Sequence, residues 1–350
     1  MAPFESSVTE TASMLPSPPP CLSFWRSAAT AVQGRSHEAK GTICQDRVWT
    51  WSRHPLHVIA LADGAGSCPL SHEGAETATK ATARFFQKHI SKTLSQSPET
   101  IQGHLLRYLV RELRVHARKL NVDFKALSCT LLFVAVYNEE YISGHIGDGA
   151  IAAMQGERLI TISLPESGEY VNETFFLTSS SAATRFRIKK GALHDMDGFM
   201  LMSDGAAFSL YDPRNDIFSS NVRLMLKWLD GASHKEVQTA LSETLEKSIK
   251  KKTTDDCSIA LVRKSSFTAD EFVKLPGEMI TDLLTSEGRQ KGFSRNHALI
   301  LQAHKGGYHT TKDLCRKTEL TARTVKRHLR LATERGYEFN DRSEPHGSSD

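Results

Sequence analysis

Acidic residues at the edges of five β-like stretches give this sequence its clearest chemical signal. Three apolar runs end in an Asp-Gly pair, and two further acids stand just before such runs. A carboxylate at the end of a buried strand is costly unless a cation or hydrogen bonds meet it. The recurrence therefore predicts a shared, carboxylate-lined metal site, built from Asp46, Asp63, Asp148, Asp204 and Asp256, the last preceded by Asp255.

Such a site would suit magnesium or manganese, which prefer hard oxygen ligands. Two such ions bridged by carboxylates can hold a hydroxide and clamp a phosphoryl oxygen, so in-line attack on a phosphate needs no protein nucleophile. An Asp-Gly pair is also a common turn, and for any single pair the turn is the more frequent explanation. The five acids together favour the metal site.

A thiol-based phosphatase chemistry is the rival that the sequence raises. Cys257 and Arg263 have the C-x5-R spacing of thiol phosphatases. That chemistry needs a loop whose backbone N–H groups surround the phosphate and lower the thiol pKa. The residues between them, Ser258–Val262, form an apolar, strand-like run without glycine, which argues against it. No G-x-x-x-x-G-K-[ST] loop occurs, so nucleotide hydrolysis of that type is not supported either.

The order of the motifs is more specific than any one of them. In sequence they are C-Q-D, A-D-G-A-G, S-C-T-L-L, H-I-G-D-G, L-M-S-D-G and D-D-C-S-I-A-L-V, between about Phe24 and Arg263. This order resembles the metal-dependent protein phosphatases of the 2C type, and looks closest to the bacterial branch whose first motif carries S-H before C-Q-D. The resemblance implies a β-sandwich flanked by helix pairs, with two divalent cations, Mn²⁺ or Mg²⁺.

The resemblance also implies roles for particular residues. Asp46 and Asp63 would bridge the two metals, and the Gly64 carbonyl would be a ligand. Asp204 and Asp256 would complete the shell of one metal, and Asp148 matches the acid associated with a third metal. The implied catalytic set is Asp46, Asp63, Asp204 and Asp256.

The chain departs from the family pattern in three places. Ala65 stands where many relatives carry a histidine suggested as general acid, and the sequence leaves His37 and His72 as alternatives. Arg35 and His37 are the predicted phosphate-binding residues, and Arg35 lies farther from the first acidic motif than the family arginine does. Phe208 stands where many relatives carry a further acid.

Composition sets the class of protein. The chain has 350 residues, 39% hydrophobic and 24% charged, and a formal net charge of +4 that does not by itself decide a partner. Its six cysteines are scattered without a C-x-x-C pair, so a disulfide framework or structural zinc site is not expected. Neither a secretory signal nor a run of about 18 apolar residues is present. These features predict a cytoplasmic protein.

The chemistry must be positioned by a domain with alternating strands and helices. Residues 23–265 are predicted to form an α+β phosphatase domain after a flexible leader at 1–22. Its architecture would be a four-layer α-β-β-α sandwich, two antiparallel sheets flanked by helix pairs. Helices are predicted over Ser71–Ile90, Ile101–Leu120, Asp216–Trp228 and Lys235–Lys250, a strand over Ala183–Ile188, a polar loop over Gly34–Gly41 and a mobile surface segment over Ser163–Ser181.

Residues 266–340 are predicted to form a small helical domain, followed by a disordered tail at 341–350. Within it, Thr310–Gly336 has the form of two helices and a short turn. The second helix carries Arg323, Lys326, Arg327 and Arg330, which could contact nucleic acid. A module that recruits protein, or a solvated basic face, explains the same pattern.

The predicted function is a metal-dependent serine/threonine phosphoprotein phosphatase that hydrolyses phosphomonoesters by a metal-bound hydroxide at a binuclear site. Its partners would be phosphorylated Ser/Thr proteins, and a partner kinase is a further candidate. The alternative is a catalytically weak, phosphatase-like sensor that acts through its C-terminal module as a DNA-binding or partner-recruiting regulator.

Overall fold

Two antiparallel five-stranded sheets form the centre of the protein. The computed structural model describes residues 21–165, 174–276, 279, 280, 282, 283, 296, 299–304 and 306–333. The first sheet contains, in spatial order, β1 (Cys21–Val32), β12 (Cys257–Thr268), β9 (Met196–Met202), β6 (Ala150–Gln155) and β7 (Arg158–Ser163). The second contains β2 (Arg47–Arg53), β3 (Leu56–Ala62), β4 (Leu131–Tyr137), β5 (Glu140–Ile146) and β8 (Arg187–Ala192). The hairpin β10 (Tyr211–Asp212) and β11 (Ile217–Phe218) stands apart.

A pair of helices covers the outer face of each sheet. The pair α2 (Ser71–Thr93) and α3 (Pro98–Leu120) packs on the second sheet, and α6 (Ser220–Gly231) and α7 (His234–Thr244) pack on the first. This confirms the predicted four-layer α-β-β-α sandwich. The shorter helices are α1 (Arg35–Lys40), α4 (Ala182–Arg185) and α5 (Asp204–Leu210), with 3₁₀ turns at Phe124–Leu127 and Lys250–Lys252 and a π turn at Leu245–Ile249. No helix in the described ranges is long and apolar enough to cross a membrane.

Strand β3 shows why the sequence of a central strand is continuously apolar. All seven of its residues are buried. Val58 points into the core shared with α2 and α3, while Ile59 points into the core between the two sheets. Because successive side chains of a strand face opposite ways, a strand between two layers needs apolar residues on both faces. Asp63 follows at the end of this strand.

Three local predictions were wrong. Gly34–Gly41 is not a loop, because α1 occupies its centre; this helix buries no residue, so no apolar periodicity marks it. In Ala183–Ile188 the first part is helical, and the strand begins only at Arg187. The helix predicted over Asp216–Trp228 begins at Ser220, where Ser219 Oγ accepts a hydrogen bond from the Asn221 N–H. Asp216 lies in the preceding turn at φ 51°.

The helical C-terminal part packs on one end of the first sheet. Strand β12 continues to Thr268, beyond the predicted boundary at 265, and α8 (Ala269–Lys274) follows it. Phe24 and Phe272 stack with ring centroids 5.4 Å apart, within a cluster that includes Leu301 and Ala332. The helices α9 (Thr311–Thr318) and α10 (Ala322–Thr333) form the two-helix unit. The domain boundaries stay a prediction, and the expectations for residues 1–20, 166–173 and 334–350 lie outside the described residues.

Candidate active site

A polar cavity of about 340 Å³ lies where several strand ends and α1 meet. Asp63 follows directly after β3, Asp148 and Asp204 come two residues after β5 and β9, and Asp255 stands two residues before β12. Chain segments distant in sequence thus bring their acids to one place. The full lining is Ser36, His37, Lys40, Asp63, Gly64, Ala65, Gly66, Asp148, Thr174, Phe176, Asp204, Thr254 and Asp255.

Three carboxylates converge in this cavity. One oxygen from each of Asp63, Asp148 and Asp204 lies within 4.8 Å of the others. The Asp63 N–H donates to Thr130 Oγ1 at 2.9 Å, and the Thr174 hydroxyl donates to Asp148 Oδ2 at 2.6 Å. Asp204 Oδ1 accepts from the Gly205 N–H at 2.6 Å. The bonds from Thr174 and Gly205 orient the Asp148 and Asp204 carboxylates, and the three acids form a ligand set suited to a divalent cation.

Asp46 is a fourth, more deeply buried carboxylate beside the cluster. It is 1% exposed, and its Oδ2 accepts a 2.6 Å hydrogen bond from the Ser258 hydroxyl. Its other oxygen, Oδ1, is buried without a hydrogen-bond partner. A buried carboxylate oxygen without a partner is costly, and a cation or its bound water would supply the missing interaction.

Burial, together with the mutual repulsion of the carboxylates, raises their pKa values. Burial, with the charges of Asp256 and Asp204, raises the pKa of Asp46 to about 8. Burial, with Asp46 and Asp204, also holds the pKa of Asp63 well above its usual range, and burial and Asp148 raise the pKa of Asp204 to about 7. Among the described Lys, Arg and His side chains, none has a nitrogen within 4.0 Å of the carboxylate oxygens of Asp46, Asp63, Asp148 or Asp204. The donor set therefore fits divalent cations, which would remove the repulsion.

The structure separates the two neighbouring acids before β12. Asp256, the predicted ligand, is 2% exposed and turns away from the cavity. Its oxygens accept hydrogen bonds from the backbone N–H groups of Gly34 at 2.6 Å and Gln45 at 2.5 Å. Asp255 lines the cavity instead, and its charge contributes to the raised pKa values of Asp63 and Asp204. Two adjacent residues extending from the chain point to opposite sides, so only one of them can face the carboxylate cluster.

Two glycines allow this close convergence of backbone. A Cβ on Gly64 would lie 2.6 Å from Ser71 Oγ, and a Cβ on Gly205 would lie 2.1 Å from the Asp256 carbonyl oxygen. Both contacts are too short for any side chain. The Gly after each Asp is thus required by packing as well as by the turn, which explains why the Asp-Gly pairs recur.

Comparison with known proteins agrees with this arrangement. Residues 33–246, more than half of the chain, match the family model for Protein phosphatase 2C. The chain belongs to the protein phosphatase 2C family. The resemblance inferred from the motif order is thereby confirmed, and the carboxylate cavity lies at the place where the phosphatase motifs meet.

The chain is also similar to individual protein phosphatases. Serine/threonine-protein phosphatase 3 of Escherichia coli (strain K12) is 24% identical over 251 residues, which cover 68% of this chain and 97% of the relative. A solved bacterial serine phosphatase is 14% identical, with 68% of this chain and 97% of that chain covered and a TM-score of 0.50. The catalytic domain of the phosphatase PstP, solved with two manganese ions, is 15% identical over 69% of this chain and 99% of that chain, with a TM-score of 0.49.

The basic residues that line the phosphatase cavity differ in part from the phosphate-binding residues predicted from the sequence. Arg35 is exposed, and its Nε donates to the Thr253 carbonyl at 3.0 Å, so it does not line the cavity. Lys40 and His37, from the same short helix α1, do line it. Backbone bonds such as Ser36 N–H to Thr254 O, at 2.9 Å, fasten this helix to the segment that carries Asp255. Lys40 was missed because α1 was read as a loop; its spacing of three residues from His37 was the available signal.

The remaining candidates from the sequence lie outside the cavity or carry no chemistry there. His72 lies 3.8 Å from Glu73 on α2 and does not line the cavity. Ala65 lines the cavity and is 7% exposed, while Phe208 is 71% exposed. Cys257 is buried in β12, where burial raises the pKa of its thiol to about 12. A thiol that stays protonated is a poor nucleophile, in line with the rejection of thiol chemistry.

Proposed function

We propose that this chain is a metal-dependent phosphatase of phosphoserine and phosphothreonine proteins, acting on phosphomonoesters. The observation that carries the proposal is the convergence of Asp63, Asp148 and Asp204 in one polar cavity of a 2C-family fold. A phosphorylated side chain on a protein surface can reach such an open cavity. A non-catalytic sensor is not favoured, because a sensor has no need for so many mutually repelling carboxylates.

We assign some cavity residues to cation binding and others to the substrate phosphate. Asp63, Asp148, Asp204 and Asp255 would hold Mn²⁺ or Mg²⁺, with the Gly64 carbonyl as a neutral ligand and Asp46 behind them. When bound, such ions stabilise charge on phosphoryl oxygens and make water a better nucleophile. The surrounding carboxylates have raised pKa values, so cation binding must also displace protons from them.

Two cavity-lining residues of helix α1 supply a positive charge and a proton. Lys40 carries a flexible ammonium group that can follow the substrate phosphate. His37 Nδ1 lies 2.9 Å from Asp256 Oδ1, which holds the imidazole ring at the cavity wall. Since Ala65 has no titratable group, His37 is the residue that we assign to protonating the leaving alkoxide oxygen, which becomes the Ser or Thr hydroxyl of the product.

The direct test is phosphate release from a phosphothreonine peptide and from a small aryl phosphate. We expect turnover with added Mn²⁺ or Mg²⁺, and none after treatment with a chelator and gel filtration. Restoring the metal should restore turnover, which distinguishes metal loss from unfolding. A folded, metal-loaded protein without turnover on either substrate would contradict the proposal.

A second prediction separates the two cations of helix α1. We expect Lys40→Ala to lower kcat/KM on both substrates by about tenfold, because a charge-assisted contact to a phosphate is worth about 1.5 kcal/mol. Lys40→Arg should retain most of the activity. Arg35→Ala is the matched control and should change kcat/KM less than about threefold, since Arg35 bonds the Thr253 carbonyl instead. The reverse order of effects would restore Arg35 as the phosphate ligand.

The partner predictions for the C-terminal module stay predictions. Helix α10 exposes all four of its candidate contacts, Arg323, Lys326, Arg327 and Arg330, and buries Val325, His328 and Ala332 on its other side. This division supports a surface for an anionic partner, and duplex DNA is one such partner. Docking of a partner kinase rests on no specific contact. A titration of the full chain with labelled duplex at rising salt would test the DNA prediction.

A further inference from the structure

The outer face of helix α3 carries a row of arginines. Arg107, Arg111, Arg114 and Arg118 recur every three or four residues, and all four are exposed. This spacing places them along one side of the helix. The opposite side, from Ile101 to Ala117, is buried against the second sheet. The arginines thus form a continuous stripe on the surface.

Two adjoining cavities lie along this stripe, and both have apolar floors. The first, of about 450 Å³, lies between α2 and α3 and includes Phe85 and Tyr108. The second, of about 570 Å³, lies along α3 over Leu106, Val110 and Val115. Arg107 and Arg111 line both cavities, so the two form one groove. We call it the α3 groove: Phe85, His89, Lys92, Thr93, Gln96, His104, Leu106, Arg107, Tyr108, Val110, Arg111, Arg114, Val115 and Arg118.

The positive charge of the α3 groove is largely uncompensated. Among the described residues, Glu112 supplies the carboxylate beside the stripe, 3.0 Å from Arg111 and 3.8 Å from Arg84. Arg114 stacks over the Phe124 ring at 5.3 Å. No carboxylate of the described chain lies within 4.0 Å of Arg107 or Arg118. A rim of four guanidinium groups with a single neighbouring carboxylate among the described residues, around apolar surface, favours a ligand that brings both carboxylates and apolar side chains.

We propose that the α3 groove docks an acidic segment of a partner protein, with Asp or Glu residues interspersed with leucine-like or aromatic side chains. The carboxylates would pair with the arginines, and the apolar side chains would fill the two cavities. Val115, 41% exposed, would be covered by such a segment. The proposal does not depend on phosphatase activity.

The groove extends toward the catalytic end of the domain. His116 Nε2, near the end of α3, lies 2.8 Å from Glu73 Oε2 in the first turn of α2. Helix α2 begins at Ser71, soon after Asp63. A segment docked along α3 would therefore have one end near the side of the protein where a phosphorylated residue is processed.

The test measures binding of an acidic amphipathic peptide to the full chain. The probe is a fluorescein-labelled peptide of about 18 residues, about 27 Å of helix, with Glu and Leu arranged so that the leucines share one face. A peptide of the same composition with scrambled order is the control ligand. We expect the patterned peptide to bind at least about tenfold more tightly than the scrambled one. Only the patterned peptide presents its leucines on one face and its carboxylates beside them, matching the apolar floor and the arginines of the groove.

The matched variants are Arg107→Glu with Arg111→Glu, and, at two residues that do not line the groove, Arg214→Glu in the β10–β11 turn with Lys235→Glu on α7. All four side chains are exposed, and both variants change the net charge equally. We expect the α3 variant to weaken peptide binding by about tenfold or more and the control variant by less than about twofold. Both should keep the wild-type melting temperature and the turnover of an aryl phosphate.

Several outcomes would overturn the proposal. If the patterned and scrambled peptides bound equally well, or if both variants lost peptide affinity equally, the binding would be explained by net charge alone. Binding that appears only after residues 1–20 are removed would assign the groove to this chain's own leader. Self-association of the wild type that the α3 variant abolishes would assign it to a second copy. Tighter, Arg107-dependent binding of duplex DNA than of the peptide would assign it to nucleic acid.

Discussion

The Asp63→Asn variant is expected to lose at least about a thousandfold of its kcat on a phosphothreonine peptide. Asp63 lies in the carboxylate cluster, and burial, with the charges of Asp46, Asp204 and Asp148, holds its pKa well above the usual range. Removing its charge weakens the cation site, and cation stabilisation of a phosphoryl transition state is worth several kcal/mol, or about a thousandfold in rate. Steady-state kinetics at saturating Mn²⁺ would measure the loss.

The control for this variant is Asp195→Asn, in the exposed turn before β9 and at the opposite end of that strand from Asp204. It should keep wild-type kinetics. Metal-dependent stabilisation gives a readout independent of activity: Mn²⁺ should raise the melting temperature of the wild type and of Asp195→Asn, and raise that of Asp63→Asn much less. An Asp63→Asn protein with full activity would remove Asp63 from the site.

The metal-free proteins should differ in how stability depends on pH. In an acid whose pKa is raised on folding, the folded state binds more protons than the unfolded state, so stability falls as pH rises. The window runs from the ordinary carboxyl value of 3.8 to the raised values of about 7 for Asp204 and about 8 for Asp46. We expect the stability of Asp63→Asn to fall less than that of the wild type as pH rises, because one of the mutually repelling charges is absent. Its metal-free melting temperature at pH 8 should exceed that of the wild type by about 5 °C.

The second large effect concerns the adjacent acids Asp255 and Asp256. We expect Asp256→Asn to destabilise the fold by about 2–4 kcal/mol, because an amide cannot accept both backbone hydrogen bonds that the buried carboxylate accepts from Gly34 and Gln45. Its melting temperature should fall by about 5–10 °C. Asp255→Asn should leave the melting temperature of metal-free protein within about 2 °C, since Asp255 is exposed.

The two variants should separate in metal affinity. Asp255→Asn should weaken Mn²⁺ binding by at least about tenfold, because ligand charge sets the affinity of such sites. For Asp256→Asn, the apparent Mn²⁺ affinity of the folded protein should change less than that. Calorimetric titration with Mn²⁺, beside thermal unfolding, measures both properties. Weaker metal binding by Asp256→Asn alone, with unchanged stability, would return the ligand role to Asp256.

The motif order and the apolar strands were sufficient to predict the fold class. Strand β3 is apolar throughout because both of its faces are buried, and Asp-Gly pairs end three central strands because the loops there converge. These signals are local and repeat along the chain, so a single sequence carries them. The short helix α1 was not predicted because it has no buried residue, so its sequence shows no apolar residues at helical spacing.

The sequence by itself determined the family and the four-layer architecture, and it predicted five acidic positions for the site, of which Asp63, Asp148 and Asp204 converge in the cavity. Tertiary structure decided which side chains face the cavity: Asp255 rather than Asp256, and Lys40 rather than Arg35. It also showed that the α3 arginines rim an apolar groove. The physical reason is that residue type and spacing specify the secondary structure and the chemistry available to a segment. The direction of a side chain depends instead on the backbone groups of neighbouring segments, such as the two N–H groups that donate hydrogen bonds to Asp256.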